Sequence, residues 1–525
     1  MTVNEVASNG IAKYEYNINN GAWQTYNSTN KIIVSTEGTI YVKARAVNNV
    51  GVNGAESIGY VVNIDKTNPI VSFATNGGNS SSNASTVVTI SDAFSGINSG
   101  TLQYVWDTQY STAPSSGWVT FSNGDTLTKS GIGSYYLWIK ANDNAGNVLT
   151  TKSNEFLINQ ADTSNANAPV LSNGMTAKKW NGSSWETVTD PTNDTSWYNY
   201  SLKKWANAQT ADGSMWVWIP RYEYKIPTPH SSTAQTIQVN FLTGTSTTIT
   251  SGYTLQPAFT FGSTELTGIW VAKFEASGTA SSINIKPGIA SINNISINSA
   301  FIACRSMETN DRYGWGTSGS EIDTHLMKNI EWGAVAYLTS SNYGKTGEVW
   351  INPNSYYITG QAGSSASSSS KTTTYPYDNE TYGVNASTTG NIYGVYDMSG
   401  GVSEFVAAYV NNGNSSLTSY GGSVVSAEEK YKDIYISSGD TQSDNYSAIS
   451  NKIGNAIYET SISYSGNYSW YGDNSRMAYS SNPFFVYGGS NYSASSAGLF
   501  SFLYASGSPV GDFGFRPVIA VSGTL

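Results

Sequence analysis

Residues 476–521 read RMAYSSNPFFVYGGSNYSASSAGLFSFLYASGSPVGDFGFRPVIAV, and this stretch decides the reading of the whole chain. Between Met477 and Phe513 there is no Lys, Glu, Gln, Trp, His, Arg, Thr or Ile, and Asp512 is the only charge. Tyr, Ser, Gly, Asn, Ala and Phe fill nearly every place. Such an alphabet suits a contact surface. Tyr and Phe give large area at low rotamer entropy, and Ser, Gly and Asn adapt their hydrogen bonds. A Ser/Gly-rich surface loop has the same composition, so the choice rests on the frame around the stretch.

The totals narrow the field. At 525 residues the chain is too long for one ordinary core. Only 12% of residues are charged and the net charge is -10, so the basic patch that nucleic acid requires is missing. Thirty-seven Tyr and 15 Trp among abundant Gly, Ser, Asn and Thr fit a β-rich, turn-rich chain. A lone cysteine, Cys304, rules out internal disulfides, and two histidines, His230 and His325, leave little for a zinc site. No apolar run approaches the roughly 18 residues of a membrane span. The start, MTVNEVASNG, lacks a basic then apolar leader.

Residues 1–160 hold two imperfect copies of one unit. Tyr14-Glu15-Tyr16 recurs as Tyr104-Val105-Trp106, Trp23 as Trp118, and YVKARAVNNVGVNG from Tyr41 as YLWIKANDNAGNVL from Tyr136. Each copy has short alternating runs broken by Gly, Asn and Asp, the pattern of an antiparallel β-sandwich. The copies are expected at 1–65 and 66–160. They resemble bacterial immunoglobulin-like domains of surface and phage proteins, with IDKTNP (64–69) at the join. The first copy lacks a counterpart to 69–85, so further chain upstream is expected. The Asp143-Asn144 and Asn48-Asn49 loops leave structural calcium open, but Asx turns explain them better. No other metal or cofactor is expected.

The polar run NQADTSNANAP (159–169) has no periodicity and reads as a linker, bounded at 161–174. From 175 the character changes. Met215–Pro220 and Gly268–Glu275 are dense apolar strands. Residues 324–338 carry apolar side chains at 326, 327, 330, 334, 335 and 338, which predicts a helix capped by Thr324. Residues 361–374 are low in complexity and read as a mobile loop.

The run Gly394-Val395-Tyr396-Asp397-Met398-Ser399-Gly400-Gly401-Val402-Ser403-Glu404-Phe405, followed by Gly488-Gly489-Ser490 and Gly514-Phe515-Arg516, resembles the formylglycine-generating enzyme and sulfatase-modifying superfamily. That family is a variant of the C-type lectin fold. Gly401 stands where the family pattern has Asn, Phe405 where it has Trp, and Tyr487 where it has Arg. The resemblance covers about 175–525. Enzymatic members oxidise a substrate cysteine with a pair of their own cysteines. Cys304 alone, in an apolar setting, cannot supply that pair, so no enzyme activity is expected.

A second branch of the superfamily fits better: the variable proteins of diversity-generating retroelements. In them the hypervariable segment lies at the end of a lectin-type domain closed by Gly-Phe-Arg-Pro-Val. Adenines of template AAY codons are replaced, which never yields Lys, Glu, Gln, Met or Trp. All five are missing from Ala478 to Phe513. The resemblance implies a mostly β chain: two immunoglobulin-like β-sandwiches followed by an α+β C-type lectin-like domain, with the variable region at about 476–513. It implies a hypervariable receptor-binding protein on a phage tail or bacterial surface, whose partner is a protein or glycan on a cell surface. An invariant adhesin or carbohydrate-binding lectin of the same fold is the alternative. Oligomeric state is left open.

The frame is expected to consist of Pro483, Phe484, Phe485, Gly488, Gly489, Ala497, Gly498, Phe500, Phe502, Gly514, Phe515 and Arg516, which pack the core. Arg516 is expected to meet a carboxylate, Asp397 or Glu404. Between them lie Asn482, Val486, Tyr487, Ser490, Asn491, Tyr492, Ser493, Ser495, Leu503, Tyr504, Ala505, Ser506, Ser508, Val510, Asp512 and Phe513, expected to share one exposed ligand-binding face. Tyr487, Tyr492, Tyr504 and Phe513 are its expected anchors.

Overall fold

The computed structural model describes residues 9–80, 83–158, 162–319, 322–368, 370, 373–437 and 439–521. The chain is mostly β and divides into two units, Met1–Gln160 and Ala161–Leu525. Residues 1–8, which carry most of the segment read for a leader, lie outside the described residues.

In the first unit the sequence repeat is a structural repeat. Strand Ile11–Ile18 pairs antiparallel with Gly38–Asn48, which pairs in turn with Tyr60–Ile64, and Gln24–Thr25 closes the other edge. The second copy repeats the arrangement. Gln103–Asp107 pairs antiparallel with Gly133–Asn142, flanked by Val119–Thr120 and Val148–Lys152. One cation–aromatic pair recurs at matched positions: Arg45 lies 4.1 Å from the Trp23 ring centroid and Lys140 lies 3.9 Å from that of Trp118.

The second copy adds a further sheet in the order Thr126–Ser130, Asn83–Ser91, Ile70–Phe73. Asn83–Ser91 alternates exposed and buried residue by residue, which places Ala84, Val88 and Ile90 in a core with Leu102, Leu127, Leu137, Ile139 and Phe156. Each such aliphatic side chain contributes about 1.5–3 kcal/mol on burial. No such second sheet accompanies the first copy among the described residues. Ile40, Val42, Ala46 and Val47 are buried, but other apolar side chains of this copy stay in water, with Ile58 93% exposed and Ile33 81%.

The second unit is built on two large sheets. In one, Met215–Pro220, Gly268–Ala272 and Pro517–Ala520 lie side by side, buried along their whole lengths. Strands covered on both faces need continuous apolar runs, as read from the sequence. Strand Pro517–Ala520 is inserted between Gly268–Ala272 and Asp323–Leu326, and Asp323–Leu326 forms the edge of this sheet. The other sheet has Ser403–Asn411 within it, antiparallel to Phe484–Gly488 and parallel to Asp433–Ile436. It continues through Gly498–Ala505 to Ser475–Arg476 and Ser465–Gly466.

Three expectations are corrected. The described part of the 161–174 segment is a strap, not a linker. Asn167 donates to the Gly244 and Thr267 carbonyls, and Asp162 accepts from the Tyr200 and Ser201 amides. The Trp218 and Trp270 indoles donate to the Asn167 and Val170 carbonyls. Polar composition marked these residues as solvated, but their carboxamide and carboxylate groups satisfy buried backbone.

Thr324 is not a helix cap. It lies in strand Asp323–Leu326 and donates to the Cys304 carbonyl at 2.7 Å. The helix runs Asn329–Thr339, and the Glu331 carboxylate reaches back to the Lys328 amide at 2.9 Å. The apolar residues at 326 and 327 belong to core contacts that happen to share the helical spacing.

The 361–374 segment is anchored where it is described. Gln361–Ala362 pairs with Tyr375–Pro376, and both Ala362 and Ser368 are buried. Residues 369, 371 and 372 lie outside the described residues.

Candidate functional site

All twelve frame residues are buried. Their fixed geometry comes from motifs far apart in sequence meeting at Arg516. Its guanidinium is fully buried and grips Glu404 with two nitrogens, at 2.7 and 3.0 Å, and also donates to the Ala272 and Tyr396 carbonyls. Of the two carboxylates considered, the partner is therefore Glu404. Asp397 instead accepts from the Asn352 side chain and the Gly360 amide, both at 2.9 Å.

Lys273 donates to the Ile392 and Gly394 carbonyls, and Glu275 accepts from the Val402 amide. A Cβ on Gly401 would come within 2.3 Å of the Glu275 carboxylate, and Gly401 has φ +63°, so glycine is required there on both counts. Burial pushes Asp397 up to about 6 although Arg516 opposes the shift, and burial first, then the charges of Asp397 and Glu404, raise Glu275.

The residues between the frame positions divide into three groups. Tyr492, Ser495 and Val510 are exposed. Asn482, Ser493, Leu503, Tyr504, Ser506, Ser508, Asp512 and Phe513 are half-buried. Val486, Tyr487, Ser490, Asn491 and Ala505 are buried, which corrects their assignment to an exposed face. For Val486 and Tyr487 the cause is the strand Phe484–Gly488, covered on both sides, so alternation along it does not bring side chains to water. Tyr487, expected as an anchor, is a core residue. Its ring packs 5.2 Å from Trp332 and its hydroxyl donates to the Asn455 carbonyl at 2.9 Å.

Two patches stand out among the accessible residues. The first joins the loop after Gly488 to the loop before Phe513. The Ser490 hydroxyl donates to the Asp512 carboxylate at 2.9 Å, the Asn491 amide to the Gly401 carbonyl, and the Ser403 amide to the Asp512 carbonyl. On this base Tyr492 stands 61% exposed, edge-on to Tyr357 at 6.4 Å. The Tyr357 hydroxyl is raised by burial, then by its hydrogen bond with Tyr492 and the nearby Asp512 charge. Tyr356, 79% exposed, directly precedes Tyr357 in the chain. Phe513 packs edge-on against Phe405 and is half core, half rim.

The second patch is a groove of about 560 Å³ containing Tyr504. Tyr504 packs edge-on to Tyr479 at 5.0 Å, and Tyr464 and Arg476 complete its aromatic and cationic lining. Tyr504 pairs with Phe485, three residues along the strand from Gly488, so the patches are separated by roughly 10 Å of strand.

Sequence reasoning missed Tyr357, Tyr464, Tyr479 and Arg476. Tyr479 and Arg476 lie inside the opening stretch and were passed over because no frame motif flanks them. Tyr357 and Tyr464 come from distant segments that carry no signal of their own.

Cys304 is fully buried, and burial pushes its thiol well up from the ordinary range. In the first unit Asp143 accepts from the Asn147 amide and side chain, and Asn48 from the Val50 and Val52 amides, the Asx geometry expected. Carboxylate oxygens of Asp65, Asp92 and Asp143 lie within 4.8 Å of one another. Backbone amides of Phe94, Ser95 and Gly96 converge on Asp92, and that of Ser95 also reaches Asp65, while Asp143 is held by Asn147.

No helix among the described residues is long and apolar enough to cross a membrane. No family model matches the chain, and no curated protein does. Among solved structures, the fibronectin(III)-like modules of Clostridium thermocellum CbhA match over 30% of this chain and 84% of that one. The identity is 16% and the TM-score 0.17, too low to carry an argument about fold.

Proposed function

We propose that this chain is a hypervariable receptor-binding protein of a diversity-generating retroelement: a C-type lectin-like head on two immunoglobulin-like modules, displayed on a phage tail or bacterial surface. It is a binding protein and not an oxidase. Its partner is a protein or glycan on a cell surface. The observation that carries the reading is the division within 476–513. The frame residues are all buried, while most residues between them reach the surface in a stretch free of the five residue types that AAY diversification never yields. Binding sites lodge on loops that a rigid scaffold holds. The surface is refined to the Tyr492–Tyr357 patch and the Tyr504 groove, with Tyr487 removed from the anchors.

Sequencing the locus tests the proposal. A neighbouring reverse transcriptase and a near-copy of the last hundred-odd bases of the gene, differing at adenines, are expected. A locus with neither overturns the diversification and leaves an invariant adhesin.

A further inference from the structure

Five of the six arginines are tied to carboxylates: Arg45 to Glu15, Arg221 to Glu265, Arg305 to Asp323, Arg312 to Asp212 and Arg516 to Glu404. With 36 acidic against 26 basic side chains, a guanidinium readily finds an internal partner. Arg476 does not. It is exposed, and among the described residues its guanidinium has no ion pair or hydrogen bond. It opens onto the groove that Tyr464, Tyr479 and Tyr504 line. The same groove presents the amide of Gln442 and the carboxylate of Asp440.

We infer that this groove takes a carboxylate-bearing sugar, a uronic or sialic acid residue of a surface glycan, with Arg476 as its anchor. The inference rests on the binding-protein reading above. Guanidinium and carboxylate match as a two-pronged pair. Tyrosine rings offer flat apolar faces for the C–H face of a sugar ring and phenol hydroxyls for its edge. None of the three tyrosine hydroxyls has a hydrogen-bond partner among the described residues. The Asp440 carboxylate in the same groove can accept hydrogen bonds from the sugar hydroxyls. An acidic peptide is disfavoured because the edge strand here, Ser465–Gly466, is two residues long and offers too little backbone for strand addition.

The test uses the full chain in titration calorimetry with two probes, oligogalacturonate and oligosialic acid, each beside its methyl ester. One acid form is expected to bind, and which one identifies the source of the carboxylate. Esterification is expected to weaken binding about tenfold, and Arg476→Gln to weaken it equally with unchanged Tm, since Arg476 holds nothing in the fold. Tyr504→Ala is expected to weaken both acid and ester, which separates ring stacking from charge. Absence of binding by both acids at millimolar concentration overturns the inference. So does equal binding of acid and ester, an Arg476→Gln variant that binds as well as the parent, or binding of an oligoglutamate peptide in preference to both sugars. A locus without a reverse transcriptase leaves this result untouched, and failure here leaves the locus result untouched, so the two readings fail separately.

Discussion

Two tyrosines five residues apart have opposite predicted behaviour. Tyr487 is fully buried, packed on Trp332 and bonded to the Asn455 carbonyl. Truncation to Ala removes on the order of 150–200 Å² of buried ring, which at about 25 cal/mol per Å² is about 4–5 kcal/mol. It also leaves the Asn455 carbonyl without its hydroxyl donor, about 1 kcal/mol more, offset in part by relaxation around the cavity. A loss of about 4 kcal/mol is expected for Tyr487→Ala, a large share of ordinary domain stability. Tyr492 is 61% exposed and meets Tyr357 by its ring edge and one hydroxyl hydrogen bond at the surface, so Tyr492→Ala is expected to cost only about 1 kcal/mol. Urea unfolding of each full-length variant, followed by tryptophan fluorescence, reads both values. A Tyr492→Ala variant destabilised as much as Tyr487→Ala, or a neutral Tyr487→Ala, would refute the division between frame and surface.

Arg516→Met strands the buried Glu404 charge and is expected to cost about 3–5 kcal/mol, while the double variant with Glu404→Gln recovers much of it; equal Tm values for the single and double variants would contradict the pairing. Gly498→Ala places a Cβ 2.1 Å from the buried Asp473 carboxylate, and an overpacking cost of about 1–3 kcal/mol should appear in the denaturation midpoint. Asp397 is raised from 3.8 to about 6, so it holds its proton more tightly folded than unfolded. Its contribution is fully present below about pH 4 and is lost as pH rises through about 6, on the order of 3 kcal/mol in all. Asp397→Asn, which keeps an acceptor for Asn352 and tolerates φ +62°, should flatten that part of the stability profile; a profile of unchanged slope in urea titrations between about pH 4 and pH 6 would count against it.

Much of this was legible in sequence because it rests on local chemistry. The Tyr41 and Tyr136 runs declared the repeat, and the repeat held even to the cation over each tryptophan. The frame residues declared themselves as aromatics and glycines, and all are buried. What stayed hidden depends on tertiary placement. Whether Val486 or Tyr487 faces water is decided by layers packed on both sides of one strand, which its own sequence does not encode. Asp397 and Glu404 were equal candidates for Arg516 until the backbone between them was placed. Arg476 was invisible because what distinguishes it is the absence of a carboxylate that the other arginines have. The strap at 162–169 was misread because its polar side chains bond to buried backbone instead of water.

The most direct measurement is deep sequencing of the 3′ end of the gene from many independent cells or virions of one lineage. The account predicts that replacements within 476–513 fall on the accessible positions, Tyr492, Ser495, Tyr504 and Val510 among them, and spare Phe484, Phe485, Gly488, Gly498, Phe500 and Phe502. A uniform sequence, or replacements spread evenly over frame and surface, would contradict it.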